Sequence, residues 1–492
     1  MNYGIGLSPD SIDYLATANN LLIGKGFLSF DAQPLIYWPP GYPILLFLFS
    51  YSFNITTTVS AIYLNALLFG LIIYKSGMIL TKYINSNSII IIGLLAVLFS
   101  IPIFSMTLWA WSEVLFIFLV VWYLHFIVSY IEKSNLMAFL MIVIITALLT
   151  LSRYIGIVFI PFTIITLLIY NKENLKKKII SIILYSVLSV IPISIWLLRN
   201  YLVSETFFGK RGTTRNSIFS NVDITIERIL GWYIPEYFIN LKLFFLVIVT
   251  MAIVFLGLLV SKKIKYENLS LKVNKRIIVV FSLLISNYIF AIILISSLRS
   301  LDPIDSRLLS PIYIPFTLLL LVVLQALYTR IYSFGNYKIV FFCFLILLIT
   351  KPISSTLEAV VYHHNNGDGY SGSSWQKNST EKWLKDIKKS HMKDSVIYSN
   401  DPYVVYFLLN TYAKWSPIKS FGDSDEFYSH LTELKGVWPQ EKKAYLVWIR
   451  QRKFQHRSLY TPEELQTISE MEIIDSSDIG SVYFAKTKIM HQ

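Results

Sequence analysis

The chain has 492 residues, of which 55% are hydrophobic, and a formal net charge of +13. Its mean hydropathy of +0.57 is above the usual range of soluble domains and excludes an ordinary soluble enzyme. The positive charges lie mainly in short segments between long apolar runs, as the positive-inside rule predicts for membrane proteins. The excess charge therefore indicates membrane topology and not nucleic-acid binding.

Ten apolar runs approach the length of about 20 residues that a helix needs to cross a bilayer. They are residues 57–79, 88–108, 112–131, 136–151, 154–170, 178–198, 241–260, 277–297, 308–329 and 339–356. The runs 136–151 and 154–170 are short, so they can be half-helices broken at Ser152–Arg153. The run 42–53 is too short to span, and we expect it at the membrane interface.

The loop charges predict the side of the membrane on which each loop lies. Lysine and arginine mark cytoplasmic loops near residues 75–82, 133, 172–178, 261–276 and 330–338. This places the N-terminal segment, residues 199–240, the Arg299–Arg307 loop and the chain after about residue 357 outside, in a multi-pass protein of the inner (plasma) membrane. Residues 1–10 lack the charged and apolar regions of a signal peptide. An upstream helix missing from this sequence would account for the outward N-terminus.

The sequence divides into a membrane domain, residues 1–356, whose first extracytoplasmic loop is residues 1–56, and a small extracytoplasmic α/β domain, residues 357–492. The linker "HHNNGDGYSGSSWQ" is rich in Gly, Asn and Ser, which predicts a loop. In the tail, helices are predicted at "STEKWLKDIKKS", "DPYVVYFLLN" and "TPEELQTI". Strands are predicted at "DSVIYSN", "KAYLVWI", "MEIIDSS" and "GSVYFAKT", the last two as a pair.

The first loop opens with "GLSPDSIDYLATANNLLIGKGF". Ser8 is a good N-cap, so Asp10, Asp13 and Tyr14 are expected on one face of a short helix. Gly24 and Gly26 are expected to end this helix. Two interpretations of the acids are open. An acid near a helix N-terminus is favoured by the macrodipole alone. Alternatively, one carboxylate is a general base that acts on a lipid-linked substrate at the membrane surface.

The stretch "DSIDYLATANNLLIGKGF…PLIYWPPGYPILL" resembles the first extracytoplasmic loop of GT-C membrane glycosyltransferases. The resemblance is to the bacterial branch related to protein O-mannosyltransferases and to the lipid A aminoarabinose transferase. Asp10 and Tyr14 match the family's D-x-x-x-Y pattern, in which the Asp is the catalytic base. Asp13 occupies a variable position of that pattern. One departure is that Tyr37–Trp38 replaces a Glu-Lys pair, which removes a candidate metal ligand and a phosphate-binding lysine.

Other parts of the chain resemble further motifs of the same family, in the same order. They are Glu113 in "WSEVLF", Arg153 in "LTLSRYIG", Arg199, Asn200 and Arg211 in "WLLRNYLVSETFFGKRG", and Arg307 in "DSRLLSPIYIPF". The tail segment "IYSNDPYVVYFL" also resembles the small extracytoplasmic domain of other members. The resemblance therefore extends over nearly the whole chain.

The resemblance implies a polyprenyl-phosphate sugar donor, with a membrane lipid, a glycan or a protein as acceptor. The candidate catalytic residues are Asp10, Asp13 and Glu113, and the candidate substrate-binding residues are Tyr14, Arg153, Arg199, Asn200, Arg211 and Arg307. In this chemistry a positioned carboxylate takes the acceptor proton, and guanidinium groups stabilise the leaving phosphate. Arginines at the ends of spans also snorkel to the interface, so a purely structural role is the competing interpretation.

No cofactor is certain, and a divalent metal is an open choice, although His363 and His364 lack an acidic partner at ligand spacing.

A transporter or flippase of a polyprenyl-linked glycan is the main alternative function. Inverted repeats would favour it, and the sequence displays none. A polysaccharide polymerase or ligase with another membrane fold is a second alternative. Trp383 and Trp438 belong to a set of tail tryptophans that either stack on sugar rings or form the tail's core.

Overall fold

The computed structural model is an α-helical polytopic membrane protein with a C-terminal α/β region, as the sequence predicts. It describes residues 2–171, 173–209, 217–234, 275–299, 303–331, 337–376, 380–392, 395–421, 430–441, 443–450 and 457–488. The predicted span 241–260 and the predicted site residue Arg211 lie outside these residues.

Helices are labelled in chain order within the described residues. The helices up to residue 376 are α1 (Pro9–Leu22), α2 (Gly41–Phe53), α3 (Thr57–Tyr83), α4 (Asn87–Leu98), α5 (Ile101–Thr107), α6 (Glu113–Lys133), α7 (Leu136–Ser152), α8 (Phe159–Tyr170), α9 (Leu175–Ser204), α10 (Ile218–Gly231), α11 (Lys275–Leu298), α12 (Ser306–Leu309), α13 (Tyr313–Ile331), α14 (Tyr337–Asn366) and α15 (Ser373–Gln376). Two 3-10 helices, Tyr154–Val158 and Ser310–Ile312, precede α8 and α13.

Within the described residues, 6 helices are long and apolar enough to cross a membrane, or 7 if the bent pair α4 and α5 forms one span. These helices coincide with seven of the ten predicted runs. Of the other three, one is the run 241–260 outside the described residues. The remaining two are Leu136–Ser152 and Tyr154–Tyr170, which are apolar but shorter than a full span.

Two apolar runs are broken for identifiable reasons. Helices α4 and α5 meet at an angle of 42°, and Pro102 in the first turn of α5 cannot donate a backbone hydrogen bond to α4. The chain breaks again at Arg153, which is extended with φ −149° and ψ 137°. A Cβ atom on Gly156 would lie 2.4 Å from the Leu149 carbonyl oxygen, so the tight return after the break requires glycine. The predicted break at Ser152–Arg153 is confirmed.

The loop predicted between His363 and Gln376 is wrong at both of its ends. Helix α14 continues through residue 356 to Asn366, and α15 begins at Ser373. Only the turn between them is irregular, because Gly367 has φ 62° and ends α14. The predicted domain boundary at residue 356 therefore falls inside a continuous helix.

The tail contains the predicted alternation of helices and strands. Its helices are α16 (Thr380–Ser390), α17 (Pro402–Leu409), α18 (Leu431–Leu434) and α19 (Pro462–Gln466), and its strands are β1 (Val396–Ser399), β2 (Lys414–Trp415), β3 (Ile418–Phe421), β4 (Ala444–Ile449), β5 (Arg457–Leu459), β6 (Ser469–Ser476) and β7 (Gly480–Thr487). The elements absent from the prediction are α18, β2, β3 and β5. Each has only two to four residues, too few to show a periodic pattern.

Five strands form one sheet in the order β2-β1-β4-β7-β6. Strand β1 pairs in parallel with β2 and β4, whereas β7 is antiparallel to β4 and β6. The pair β6–β7 is the closing strand pair expected from the sequence. Strands β3 and β5 form a separate antiparallel pair.

The tail packs directly on the first loop of the membrane part. Phe30 of the loop and Tyr403 of α17 have ring centroids 4.2 Å apart. The apolar core runs continuously from α1 through Tyr370 to α17. In the tail, Trp438 is buried and Trp383 is partly buried against the core, which supports their interpretation as core residues.

Candidate active site

Helix α1 presents the acidic side chains of the first loop. In the capping box at its start, the Ser8 and Ser11 hydroxyls each accept the backbone N–H of the other residue. This fixes the start of the helix, so that Asp10, Asp13 and Tyr14 lie within its first two turns. The Asp10 side chain is 17% exposed, whereas Asp13 and Tyr14 are buried. One acid is thus accessible, and the other lies in the packed wall behind it.

Arg307 joins two of the acids that the sequence singles out. Its Nη2 donates to Asp10 Oδ2, and its Nε donates to Glu113 Oε1. Arg307 lies in α12, where the Asp305 carboxylate caps the helix by accepting the Leu308 N–H at 3.0 Å. A capped single turn therefore aims the guanidinium at carboxylates that lie 297 and 194 positions away in the sequence.

Glu113 begins α6 and lies between two guanidinium groups. Arg153 Nη1 donates to the same Glu113 Oε1 that Arg307 contacts. Arg153 Nη1 also lies 3.4 Å from Ser112 Oγ. Glu113 is 0% exposed, and its Oε2 has no hydrogen-bond partner among the described residues. The break after α7 is what brings Arg153 to this position.

Aromatic and hydroxyl groups hold the charged cluster in place. The Trp111 ring lies 4.2 Å from the Arg307 guanidinium carbon, a cation–π contact. Trp111 Nε1 donates to Ser8 Oγ at 2.7 Å, which ties the ring to the start of α1. Tyr14 and Ser112 hydroxyls are 3.2 Å apart, and burial raises the pKa of Tyr14 above its ordinary value. Tyr14 is therefore a neutral hydrogen-bonding group that lines the cluster.

Asp13 contacts side chains of the first loop. Its two carboxylate oxygens accept hydrogen bonds from the Ser29 hydroxyl and, at 3.3 Å, from Trp38 Nε1. Burial raises the pKa of Asp13 to about 8, an effect that the Ser29 hydrogen bond partly offsets. Asp13 thus contacts the wall of the loop, and its predicted catalytic role stays a prediction.

Arg199 and Asn200, at the end of α9, also contact the first loop. Arg199 donates to the carbonyl oxygens of Leu35 at 2.5 Å and Phe27 at 3.2 Å. Asn200 donates to the Ile36 carbonyl at 3.4 Å. These donors hold the ends of the loop that follows α1, so the structure shows an anchoring role, and phosphate binding by either residue stays a prediction.

The side chains that would suggest a metal are engaged otherwise. His363 Nδ1 lies 2.6 Å from Asp368 Oδ2, and Glu113 contacts two arginines. The described ranges contain no group of three or more His, Cys, Asp or Glu side chains that could hold a metal ion. In the described part of the chain, the acidic side chains of this cluster are thus engaged with arginines and are not arranged as a set of metal ligands.

Sequence reasoning missed four side chains that shape the site: Ser29, Trp38, Trp111 and Ser112. Trp111 and Ser112 directly precede Glu113, so their proximity to it was readable, but the stacking of Trp111 on an arginine was not. The contact of Ser29 with Asp13 has no signal in the sequence, because it depends on how the loop returns over α1.

Comparison by sequence alone identifies no relatives: the chain matches no family model and no curated protein. Comparison by structure finds ArnT from Cupriavidus metallidurans in the apo state, with a TM-score of 0.61, 12% identity and coverage of 98% of this chain and 95% of that one. ArnT bound to undecaprenyl phosphate has the same TM-score and identity, 0.61 and 12%, with coverage of 98% and 94%.

A second similar structure is the archaeal oligosaccharyltransferase AglB from Archaeoglobus fulgidus, in complex with an inhibitory peptide and a dolichol-phosphate. Its TM-score is 0.50 at 11% identity, and the match covers 90% of this chain and 66% of that one. ArnT and AglB are both members of the GT-C superfamily. These likenesses confirm that the described fold is of the GT-C type.

Proposed function

We propose that this membrane protein of GT-C fold is a glycosyltransferase. It would move a sugar from a polyprenyl-phosphate donor to a lipid, glycan or protein acceptor on the extracytoplasmic side of the inner membrane. The observation that best supports this function is that Arg307 joins the Asp10 and Glu113 carboxylates in one partly exposed cluster. The ligands named for the structural neighbours, undecaprenyl phosphate in ArnT and dolichol-phosphate in AglB, support the donor class.

In the proposed reaction, Asp10 is the general base. The acceptor oxygen forms a bond to the anomeric carbon of the donor sugar while the bond between that carbon and the phosphate oxygen breaks. The acceptor proton moves to Asp10, and the electron pair of the broken bond leaves with the polyprenyl phosphate. A positioned carboxylate of this kind contributes about 10²- to 10⁴-fold to the rate.

The charges of the cluster suit this sequence of events. Arg153 and Arg307 carry two positive charges, and Asp10 and Glu113 carry two negative charges. When Asp10 takes the proton, its negative charge disappears as an additional negative charge develops on the leaving phosphate. Arg307 can then exchange one anion for another, so the phosphate is stabilised by a group that is already in place.

Glu113 holds the two guanidinium groups together in this proposal. Without a carboxylate between them, Arg153 and Arg307 would repel each other at close range. Trp111 restricts the Arg307 guanidinium further by covering one of its faces at 4.2 Å. Glu113 and Trp111 would therefore act by positioning the arginines, and Asp10 and Arg307 would contact the reacting groups.

The decisive experiment replaces Asp10 with Asn and measures sugar transfer from a polyprenyl-phosphate sugar in native membranes. We expect a loss of at least 100-fold in kcat with the protein still inserted, because the amide cannot accept the proton. The matched control is Asp223→Asn, since Asp223 is exposed on α10 and lies outside the cluster. Turnover by Asp10→Asn at the control's rate would disprove the role of Asp10.

The same preparations distinguish the enzyme from a transporter of a polyprenyl-linked glycan. A transporter would move labelled donor lipid between leaflets without forming a glycosylated product. If wild-type protein flips the donor, makes no product and keeps flipping after Asp10→Asn, the glycosyltransferase proposal is wrong.

A further inference from the structure

The segment that precedes α1 is held between two other parts of the chain. On one side, Gly6 N–H donates to the Leu108 carbonyl at 2.7 Å, and Ala110 N–H donates to the Gly6 carbonyl at 3.0 Å. On the other side, Tyr370 N–H donates to the Leu7 carbonyl at 2.8 Å. Gly6 and Leu7 thus form isolated β-bridges to Trp109 and to the turn after α14.

Both carboxylates of the cluster lie only a few residues along the chain from these bridges. Asp10 follows Leu7 by three residues, and Glu113 follows Ala110 by three residues. Asp10 and Glu113 therefore each follow, after a short segment, the same small patch of paired backbone, and both contact Arg307. If Leu7 is displaced so that the pairing of Gly6 with Trp109 changes, Asp10 moves relative to Glu113, because only short segments separate these paired residues from α1 and α6.

The turn at Gly367–Gly372 supports the patch from the side of the tail. Gly369 has φ 60°, and a Cβ atom built on it would lie 1.9 Å from the Leu7 carbonyl oxygen. Since backbone lies on both sides of this contact, any side chain at position 369 forces Leu7 away. The close approach of the turn to the first loop therefore depends on glycine.

The turn is itself fixed by buried and partly buried polar contacts. The Asp368 carboxylate lies 2.6 Å from His363 Nδ1 on α14. The Ser371 hydroxyl donates to the Ile5 carbonyl at 2.6 Å. The Tyr370 hydroxyl donates to Asp401, at the start of α17, at 3.0 Å. The last membrane helix, the tail and the first loop therefore meet at this one turn.

We infer that the Gly367–Gly372 turn is a positioning element for the reaction, which sets the place of Asp10 against Arg307 through the contact between Gly369 and Leu7. This inference rests on the proposed function. It makes the tail part of the catalytic framework and not only a cover or an acceptor-binding module. A misplacement of about 1 Å at a distance from the chemistry can cost on the order of 100-fold in rate.

The test compares Gly369→Ala with Gly436→Ala in the full-length protein. Gly436 also has a positive φ, 77°, but a Cβ atom on it would meet nothing within 4 Å. Both variants therefore place a side chain on a residue with positive φ, and only Gly369→Ala adds the collision with Leu7. We expect Gly369→Ala to lower kcat about 10- to 100-fold below the Gly436→Ala value, with the KM for the polyprenyl-phosphate sugar within threefold. Equal kcat values in the two variants would overturn the inference.

A readout independent of activity separates this inference from the proposed function. Amide hydrogen exchange in residues 5–14 and 108–113 should be faster in Gly369→Ala than in Gly436→Ala. If wild-type protein transfers no sugar, the proposed function fails, and unchanged exchange would then reject the positioning role as well. If Gly369→Ala does not fold, Ser371→Ala takes its place. It removes the hydroxyl's bonds to the Ile5 carbonyl and, within the turn, to the Asp368 carbonyl. We expect about a threefold loss of kcat; an unchanged kcat would reject the inference.

Discussion

Replacing Arg307 with lysine tests the central contact of the site with the charge kept. Arg307 uses two different nitrogens, Nε toward Glu113 and Nη2 toward Asp10. A lysine ammonium is a single point charge on a flexible stem and lacks the rigid fork that reaches both acids. The substitution should therefore preserve one of the two ion pairs and lose the other.

The size of the effect follows from the contact that is lost. A hydrogen bond to a charged group contributes about 1.5–3 kcal/mol. If that stabilisation is also lost in the transition state, at about 1.4 kcal/mol for each tenfold in rate, kcat should fall about 10- to 150-fold. The loss of the cation–π contact between the guanidinium group and Trp111, whose ring centroid lies 4.2 Å from the guanidinium carbon, acts in the same direction.

The assay is sugar transfer from a polyprenyl-phosphate donor by purified protein in lipid nanodiscs, with kcat and KM measured separately. The control is Arg228→Lys, because Arg228 is exposed at the end of α10. The melting temperatures of both variants are measured in the same lipid.

An Arg307→Lys protein whose kcat lies within threefold of the Arg228→Lys value would refute the reasoning. In that case a single positive charge would be sufficient, and the two-pronged contact with Asp10 and Glu113 would have no part in the rate. A large fall in melting temperature with unchanged kcat would assign the contact to stability alone.

The remaining two predictions concern the wall of the first loop. Because burial raises the pKa of Asp13 to about 8, the folded protein holds a proton there that the unfolded chain releases above about pH 4. The free energy of unfolding should therefore fall as pH rises from 4 to 8, by up to about 1.4 kcal/mol for each pH unit. Asp13→Asn should flatten this slope in unfolding measured at several pH values, and an equally steep slope in the variant would contradict the assignment. Arg199→Ala should free the carbonyls of Phe27 and Leu35, so trypsin should cut after Lys25 several-fold faster, while the donor KM stays within twofold. A donor KM raised tenfold without faster cleavage would instead support phosphate binding by Arg199.

In the tail, the local sequence pattern predicts the longer helices and strands but not the short ones. Helix α17 and the strand β4 are where the sequence predicts them, since Pro402 marks a helix start and the run after Lys443 is strongly apolar. The short strand β2 was missed, because two residues have no period and its pairing with β1 depends on neighbours. The end of α14 was also missed, since the polar residues after His363 are typical of a loop, whereas the helix continues to Asn366.

The sequence predicted some residues of the candidate site and grouped another with them that lies elsewhere. Asp10, Glu113, Arg153 and Arg307 were each singled out from the sequence, and the fold brings all four together. Arg199 was grouped with them but contacts loop carbonyls instead. The sequence offers no means of separating these cases, because every one of these arginines lies next to the end of an apolar run and is expected outside.

The sequence by itself determined the apolar runs, the break at Arg153 and the α/β tail. Bilayer thickness sets the length of an apolar run, and helix and strand geometry sets the short periods of the tail. Only the tertiary structure decided that Arg307 faces Asp10, that Asp13 faces Ser29, and that the turn at Gly369 touches Leu7. Such contacts join residues up to several hundred positions apart, so they depend on how the helices pack and on which backbone segments lack a side chain.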